Sequence, residues 1–268
     1  MMNYIQDSRR VVIKIGTSTL LHSNGKMDLR HIGMLCRVIT DLRNAGREII
    51  VVSSGAIGVG LGKLNMDSRP DEISKRQALA AIGQCELMFI YDKFFGEYDQ
   101  TVAQLLVTMD VIDNETSRNN VVNTMNELIS MGAIPIINEN DTVATKELEG
   151  HNIGDNDTLS AMVAELMDAD ALVILTDIDG LYTGNPKNDP EARLIPVVYE
   201  ITEDIVKLAG EPGSKLGTGG MATKISAAQR ANAAGIPCCV IAGDDPNNLY
   251  TLFDGEGIGT IFLARKGK

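Results

Sequence analysis

Two lysines occupy positions where a positive charge does useful work and is otherwise hard to place. The segment Gly217-Thr218-Gly219-Gly220-Met221-Ala222-Thr223-Lys224 reads as a glycine-rich turn entering a helix, with the lysine in that helix's first turns. Glycine lets a backbone approach a ligand closely, and a helix N-terminus offers unpaired N–H groups and partial positive charge. Together they suit phosphate groups, and Lys224 adds a full charge. Lys14 lies inside the apolar run Val11-Val12-Ile13-Lys14-Ile15, just before Gly16-Thr17-Ser18. A buried charge there is costly without an anionic partner. A lysine snorkelling from an edge strand is the plain alternative; a phosphate-facing cation is the functional one.

Three polar clusters add to these cations. Ser53-Ser54-Gly55-Ala56 follows a hydrophobic run, Asn138-Glu139-Asn140-Asp141 follows Ile134-Pro135-Ile136-Ile137, and Gly154-Asp155-Asn156-Asp157 precedes Thr158-Leu159-Ser160. Helix capping or ordinary loop chemistry could account for each one separately. As a set they could hold a ligand ammonium group or orient the lysines. An EF-hand is excluded because its acidic spacing and closing Glu are missing. His22, His31 and His151 form no cluster, and Asp110–Glu115 and Glu200–Asp204 read as solvated acidic surface.

The elements that must position these groups alternate in type. Apolar runs at 11–15, 48–52, 102–108, 133–138, 171–176, 237–241 and 258–263 read as strands. Helical spacing appears at 28–44, 73–95, 116–131, 158–167, 201–209 and 221–234, while 55–62 reads as a glycine-rich stretch leading into a polar stretch at 63–71. Strands alternating with helices imply βαβ units and a mainly parallel sheet. Ligands of such open sheets bind at the carboxyl ends of the strands, where the glycine and polar clusters fall.

Composition narrows the class. The 268 residues carry a formal charge of −12, with 44% hydrophobic residues, 4% aromatics and no Trp. An aliphatic core suits a sheet covered on both faces. The acidic balance disfavours nucleic acid and anionic membranes, so an anion site has to be built locally. Cys36, Cys85, Cys238 and Cys239 form neither a disulfide framework nor a zinc ribbon. Neither a signal core nor a membrane-length run is found, so the expectation is a cytoplasmic protein without nucleic-acid or membrane partners. The P-loop, the Rossmann fingerprint and the protein-kinase signatures all fail.

Six segments taken in order resemble the amino acid kinases, in particular those that phosphorylate free glutamate. They are Val12–Ser18, Ser53–Ile57, Ile137–Val143, Gly154–Asp157, Leu175–Asp177 and Gly217–Lys224, and the likeness covers essentially the whole chain. The resemblance implies a three-layer αβα sandwich around a mainly parallel sheet, with a glutamate-binding lobe at 1–168 and a nucleotide-binding lobe at 169–268. It assigns Ser54, Asp141 and Asn156 to the substrate. It assigns Lys14, Thr176, Asp177, Thr218, Gly219, Gly220, Met221, Ala222, Thr223 and Lys224 to ATP. Lys14 and Lys224 would flank the transferred phosphoryl group, and Asp157 would hold them in place.

The reaction so implied makes L-glutamyl 5-phosphate, the first step of proline biosynthesis. Mg²⁺ would bridge the ATP phosphates with few protein ligands, and the resemblance assigns no metal-binding side chain. It further implies a homo-oligomer formed through the first lobe, feedback by proline and a glutamyl phosphate reductase as partner. Many bacterial relatives carry an additional C-terminal PUA-type domain; this sequence stops at Lys268, after the kinase region, and so resembles a short form. The rival readings are a kinase for acetylglutamate, aspartate, carbamate or UMP, and a non-catalytic ligand sensor on the same fold.

Overall fold

A computed structural model describes residues 4–144, 156–186, 188–209 and 220–264. Its centre is a sheet built from β1 (Arg10–Ile15), β2 (Glu48–Ser53), β3 (Val102–Val107), β4 (Ile134–Glu139), β5 (Ala171–Thr176), β6 (Val197–Val198), β7 (Cys238–Ala242) and β8 (Thr260–Phe262). The eight strands lie in the order β3-β4-β2-β1-β5-β7-β8-β6. All neighbours are parallel except β7 and β8. β1 lies inside the sheet, between β2 and β5, so Lys14 is not an edge-strand lysine. The chain builds outward from β1 in both directions, which makes the carboxyl ends of β1 and its neighbours the expected ligand site.

The helices are α1 (Thr17–Leu20), α2 (Leu29–Asn44), α3 (Ala56–Leu64), α4 (Ile73–Gly96), α5 (Met109–Asp113), α6 (Glu115–Ser130), α7 (Asn156–Leu166), α8 (Glu203–Leu208), α9 (Met221–Ala233) and α10 (Asn248–Phe253). Successive side chains on a strand point to opposite faces, and two buried layers result. Val11, Ile13 and Ile15 join the core formed with α2, α4 and α10. Val12 joins the core formed with α7 and α9. The same alternation puts Lys14 on the face covered by α7 and α9. Asp28 starts α2 by accepting the His31 N–H on its side chain, and Asn114 does the same for Ser117 at α6, a strong N-cap arrangement.

The glycine-rich stretch at 55–62, which the sequence left without an element, is mostly helical. Most of it is α3, which packs against α4 at a distance that side chains would forbid. A Cβ on Gly60 would lie 2.1 Å from the Leu79 carbonyl oxygen, and one on Gly83 would lie 1.7 Å from that of Ala56. The low helix propensity of glycine is overridden by this close approach. Gly55 is strained for any other residue, with φ of 93° at the turn from β2 into α3. Other expected helices and strands appear within a few residues of their predicted ends. The short β6 and α10 and the helical turn α5, within the acidic stretch at 110–115, are additions. Among the described residues no helix is long and apolar enough to cross a membrane.

The contact between α3 and α4 yields a stability prediction. Gly83→Ala should destabilise the protein by about 1–3 kcal/mol, the usual cost of overpacking, seen as a lowered urea midpoint. An unchanged midpoint would contradict the close approach.

Candidate active site

Helices that lead into the next parallel strand run against it, so their N-termini lie at the strands' carboxyl ends. α7 leads into β5 and α9 leads into β7, and both open at that edge. Asp157 is the second residue of α7 and is fully buried. Its Oδ1 lies 2.7 Å from Lys14 Nζ, and its Oδ2 lies 3.2 Å from Lys224 Nζ. Thr223 Oγ1 also donates to Oδ2, at 2.8 Å. The lysines are 6% and 2% exposed, so neither is a solvated surface residue.

Burial alone would push the Asp157 carboxyl up. Lys14 and Lys224, with hydrogen bonds from Lys14 and Thr223, outweigh that and hold it at about 2. Two ammonium groups thus share one carboxylate, and the trio carries a formal charge of +1. A buried ion pair is not in itself evidence of a stabilising contact, and an excess positive charge inside an acidic protein suits an incoming anion. Gly16 completes this corner. A Cβ there would lie 3.3 Å from the Leu175 carbonyl oxygen, a tight contact, and 3.6 Å from Lys14 Nζ, in ordinary contact with the amine.

The neighbouring Asn156 faces a second polar group. Its Nδ2 donates to the Ser53 carbonyl at 3.0 Å, to Ser54 Oγ at 2.9 Å and to Asn138 Oδ1 at 3.1 Å. Asn138 Oδ1 also accepts the Glu139 N–H at 3.0 Å, and Asn138 Nδ2 donates to Gln84 Oε1 at 2.8 Å. Ser53 Oγ and the Tyr91 hydroxyl are hydrogen-bonded at 3.0 Å beneath this cluster. Burial, helped by the charge of Asp141, raises Glu139 to about 7. Burial raises Asp141 to about 6, with Arg69 opposing. These two acids form an electronegative corner able to receive an ammonium group.

Among the residues named from sequence, Lys14, Asp157, Thr223 and Lys224 meet directly, and Ser54 meets Asn156. Asp141 lies within electrostatic range of Glu139 and Arg69. Thr176 and Asp177 end β5 and are bonded to each other at 3.0 Å. Gly220, Met221 and Ala222 open α9, with Gly220 as its N-cap. Thr218 and Gly219 lie outside the described residues, as does Asp155. Sequence reasoning assigned no role to Gln84, Asn138, Glu139, Tyr91 or Arg69. Asn138 and Glu139 lay in a run already singled out. Gln84 and Tyr91 sit among apolar neighbours in α4 and give no local signal.

Comparison with known proteins identifies the family. Residues 9–242 match the model of the Amino acid kinase family. A glutamate 5-kinase of Clostridium perfringens is 50% identical to this chain over the full length of both. A glutamate 5-kinase of Listeria monocytogenes is 52% identical, covering 99% of this chain and 97% of its own. Among solved structures, UMP kinase of Bacillus anthracis superposes with a TM-score of 0.64 at 16% identity, over 96% of each chain. At that identity the likeness concerns the fold alone.

The shifted carboxyl groups predict how stability responds to pH. Asp157 is lowered from 3.8 to about 2, so its contribution is complete above about pH 4 and is lost as pH falls through 2. Glu139 and Asp141 are raised from 4.5 and 3.8, so the unfolded chain releases their protons first. Their effect is stability that falls as pH rises from about 4 to about 7. Glu139→Gln should therefore gain stability relative to wild type between about pH 5 and about pH 7.5 in urea titrations. Parallel profiles for the two proteins would contradict the burial of this acid.

Proposed function

The chain belongs to the amino acid kinase family, and from that premise we propose how its residues carry out ATP-dependent phosphorylation of the γ-carboxylate of L-glutamate. The reaction gives L-glutamyl 5-phosphate and begins proline biosynthesis. The observation that carries the residue assignment is Asp157 bridging Lys14 and Lys224 at 2.7 and 3.2 Å.

The acceptor is already an anion and needs no general base. The obstacle is bringing one anion against a polyanion. Catalysis then rests on alignment and on neutralising charge as the phosphoryl group moves, as in phosphoryl transfer generally. Lys14 reaches the site from the central strand and Lys224 from the first turn of α9, so the two can flank the moving group. Asp157 keeps both in place and limits their mutual repulsion. Main-chain N–H groups near Gly16, Gly55 and Gly220 would assist. Thr176, Asp177 and the start of α9 would hold the nucleotide, together with Thr218 and Gly219.

Glutamate would sit beside Ser54, Asn156 and Asp141. Its ammonium group would favour the ionised forms of Asp141 and Glu139, offsetting the burial that now opposes them. Residues 1–168 would then serve the acceptor and 169–268 the nucleotide, with β1 supplying Lys14 at the boundary between them. Among the described residues no three His, Cys, Asp or Glu side chains gather as a metal site. Mg²⁺ would accompany the nucleotide and be held mainly by phosphate oxygens and water, as this strongly hydrated ion often is. Its charge would supplement that of the lysines.

The test is ADP release with ATP, Mg²⁺ and each acceptor in turn. Glutamate should support turnover, with aspartate, acetylglutamate, carbamate and UMP far behind; no glutamate-dependent release would overturn the proposal. In the same assay Lys14→Ala and Lys224→Ala should each lose roughly a hundredfold or more in kcat, the scale of one lost oxyanion donor. Asp141→Ala should chiefly raise the glutamate KM. Wild-type kcat in either lysine variant, or an unchanged KM in the aspartate variant, would remove that residue from the mechanism.

A further inference from the structure

We propose that Gln84 is a positioning residue that sets the hydrogen-bond polarity of the acceptor pocket and with it the recognition of the substrate's ammonium group. The inference rests on glutamate being the acceptor. Its starting point is an atom that can only accept, the main-chain oxygen of Ser53. The Asn156 side-chain atom 3.0 Å from that oxygen must be Nδ2. The Asn138 atom facing Asn156 Nδ2 must then be Oδ1, which the Glu139 N–H independently requires because it donates to the same atom. The other end of Asn138 is consequently Nδ2, and it needs an acceptor. Gln84 Oε1 supplies it at 2.8 Å.

The polarity thus runs without ambiguity from β2 through α7 and β4 to α4. Asn138 is 2% exposed and Gln84 is 7% exposed, so water is a poor substitute partner. The consequence falls on Asn156. With the two N–H groups of its Nδ2 shared among three acceptors, its Oδ1 is left as a buried oxygen without a hydrogen-bond partner among the described residues. A bare buried acceptor beside Ser54, at the start of the helix that also carries Asp157, suits an ammonium donor. If Gln84 loses its oxygen, Asn138 Nδ2 is stranded. Turning Asn138 over would not relieve that, because it would set the NH₂ against both Asn156 Nδ2 and the Glu139 N–H. Either outcome disturbs Asn156 and leaves the lysine pair in place.

The experiment measures glutamate KM, ATP KM and the inhibition constant of glutarate, which keeps both carboxylates of glutamate but lacks the ammonium group. Wild-type turnover with glutamate is established first, so failure of the acceptor assignment is seen separately. Gln84→Met, close in shape but without the acceptor oxygen, should raise the glutamate KM about fivefold or more, the lower range for a stranded buried donor. Glutarate inhibition and ATP KM should move by less than that factor. Gln84→Glu retains an acceptor oxygen and should keep the glutamate KM within the same factor of wild type. A smaller rise in the methionine variant, an equal loss for glutarate or ATP, or an equal loss in the glutamate variant would overturn the proposal. Gln84→Leu replaces the methionine variant should that one not fold.

Discussion

One buried carboxylate restraining two ammonium groups is the constraint around which this molecule is organised. Like charges brought together in a poorly solvated interior repel strongly, and each loses hydration on burial. Asp157 offsets both penalties by giving one oxygen to each lysine. The arrangement needs a strand inside the sheet for Lys14, a helix opening at the strands' carboxyl ends for Asp157, and a second such helix for Lys224. The parallel βαβ build meets all three needs. It also places the excess positive charge beside the N-termini of α7 and α9. With a formal charge of −12, the protein cannot draw anions by its overall field, so attraction has to be local.

The start of α7 links the two halves of the chemistry. Asn156 turns toward Ser54 and Asn138, while Asp157 turns toward the lysines. In the proposed mechanism, adjacent residues on one helix would align the acceptor pocket with the phosphoryl-transfer pocket. A shift of that helix end would disturb both sets of contacts, and on the proposed roles this would couple acceptor binding to the placement of the two lysines. Glu139 and Asp141 provide an acidic corner whose burial opposes ionisation, which the substrate ammonium group would offset in the proposed mechanism.

Much of this was legible in the sequence, for identifiable reasons. β-branched runs gave the long strands because a parallel sheet buries both faces. Lys14 stood out because a charge within such a run is costly without a partner, and the central position of β1 removes the edge-strand alternative. The glycine stretch at 55–62 was left without an element because helix propensity describes an isolated helix, whereas here Gly60 and Gly83 serve the contact between α3 and α4. Gln84 and Tyr91 were invisible because a polar atom on a buried helical face acquires meaning through partners distant in sequence. The short β6 and α10 carry too few residues for a periodic signal. The pairing of Lys14 with Asp157 spans residues far apart in the chain, and no local pattern encodes it.

The central claim is that Lys14 and Lys224 converge on one transferred group. A crystal structure with glutamate and a non-hydrolysable ATP analogue tests it most directly. Both Nζ atoms should lie within hydrogen-bonding reach, about 3 Å, of oxygens on the terminal phosphate or its bridge, with the γ-carboxylate of glutamate approaching from the side of Ser54 and Asn156. Either lysine turned away from the phosphates, or the glutamate carboxylate bound on another face of the sheet, would contradict the account.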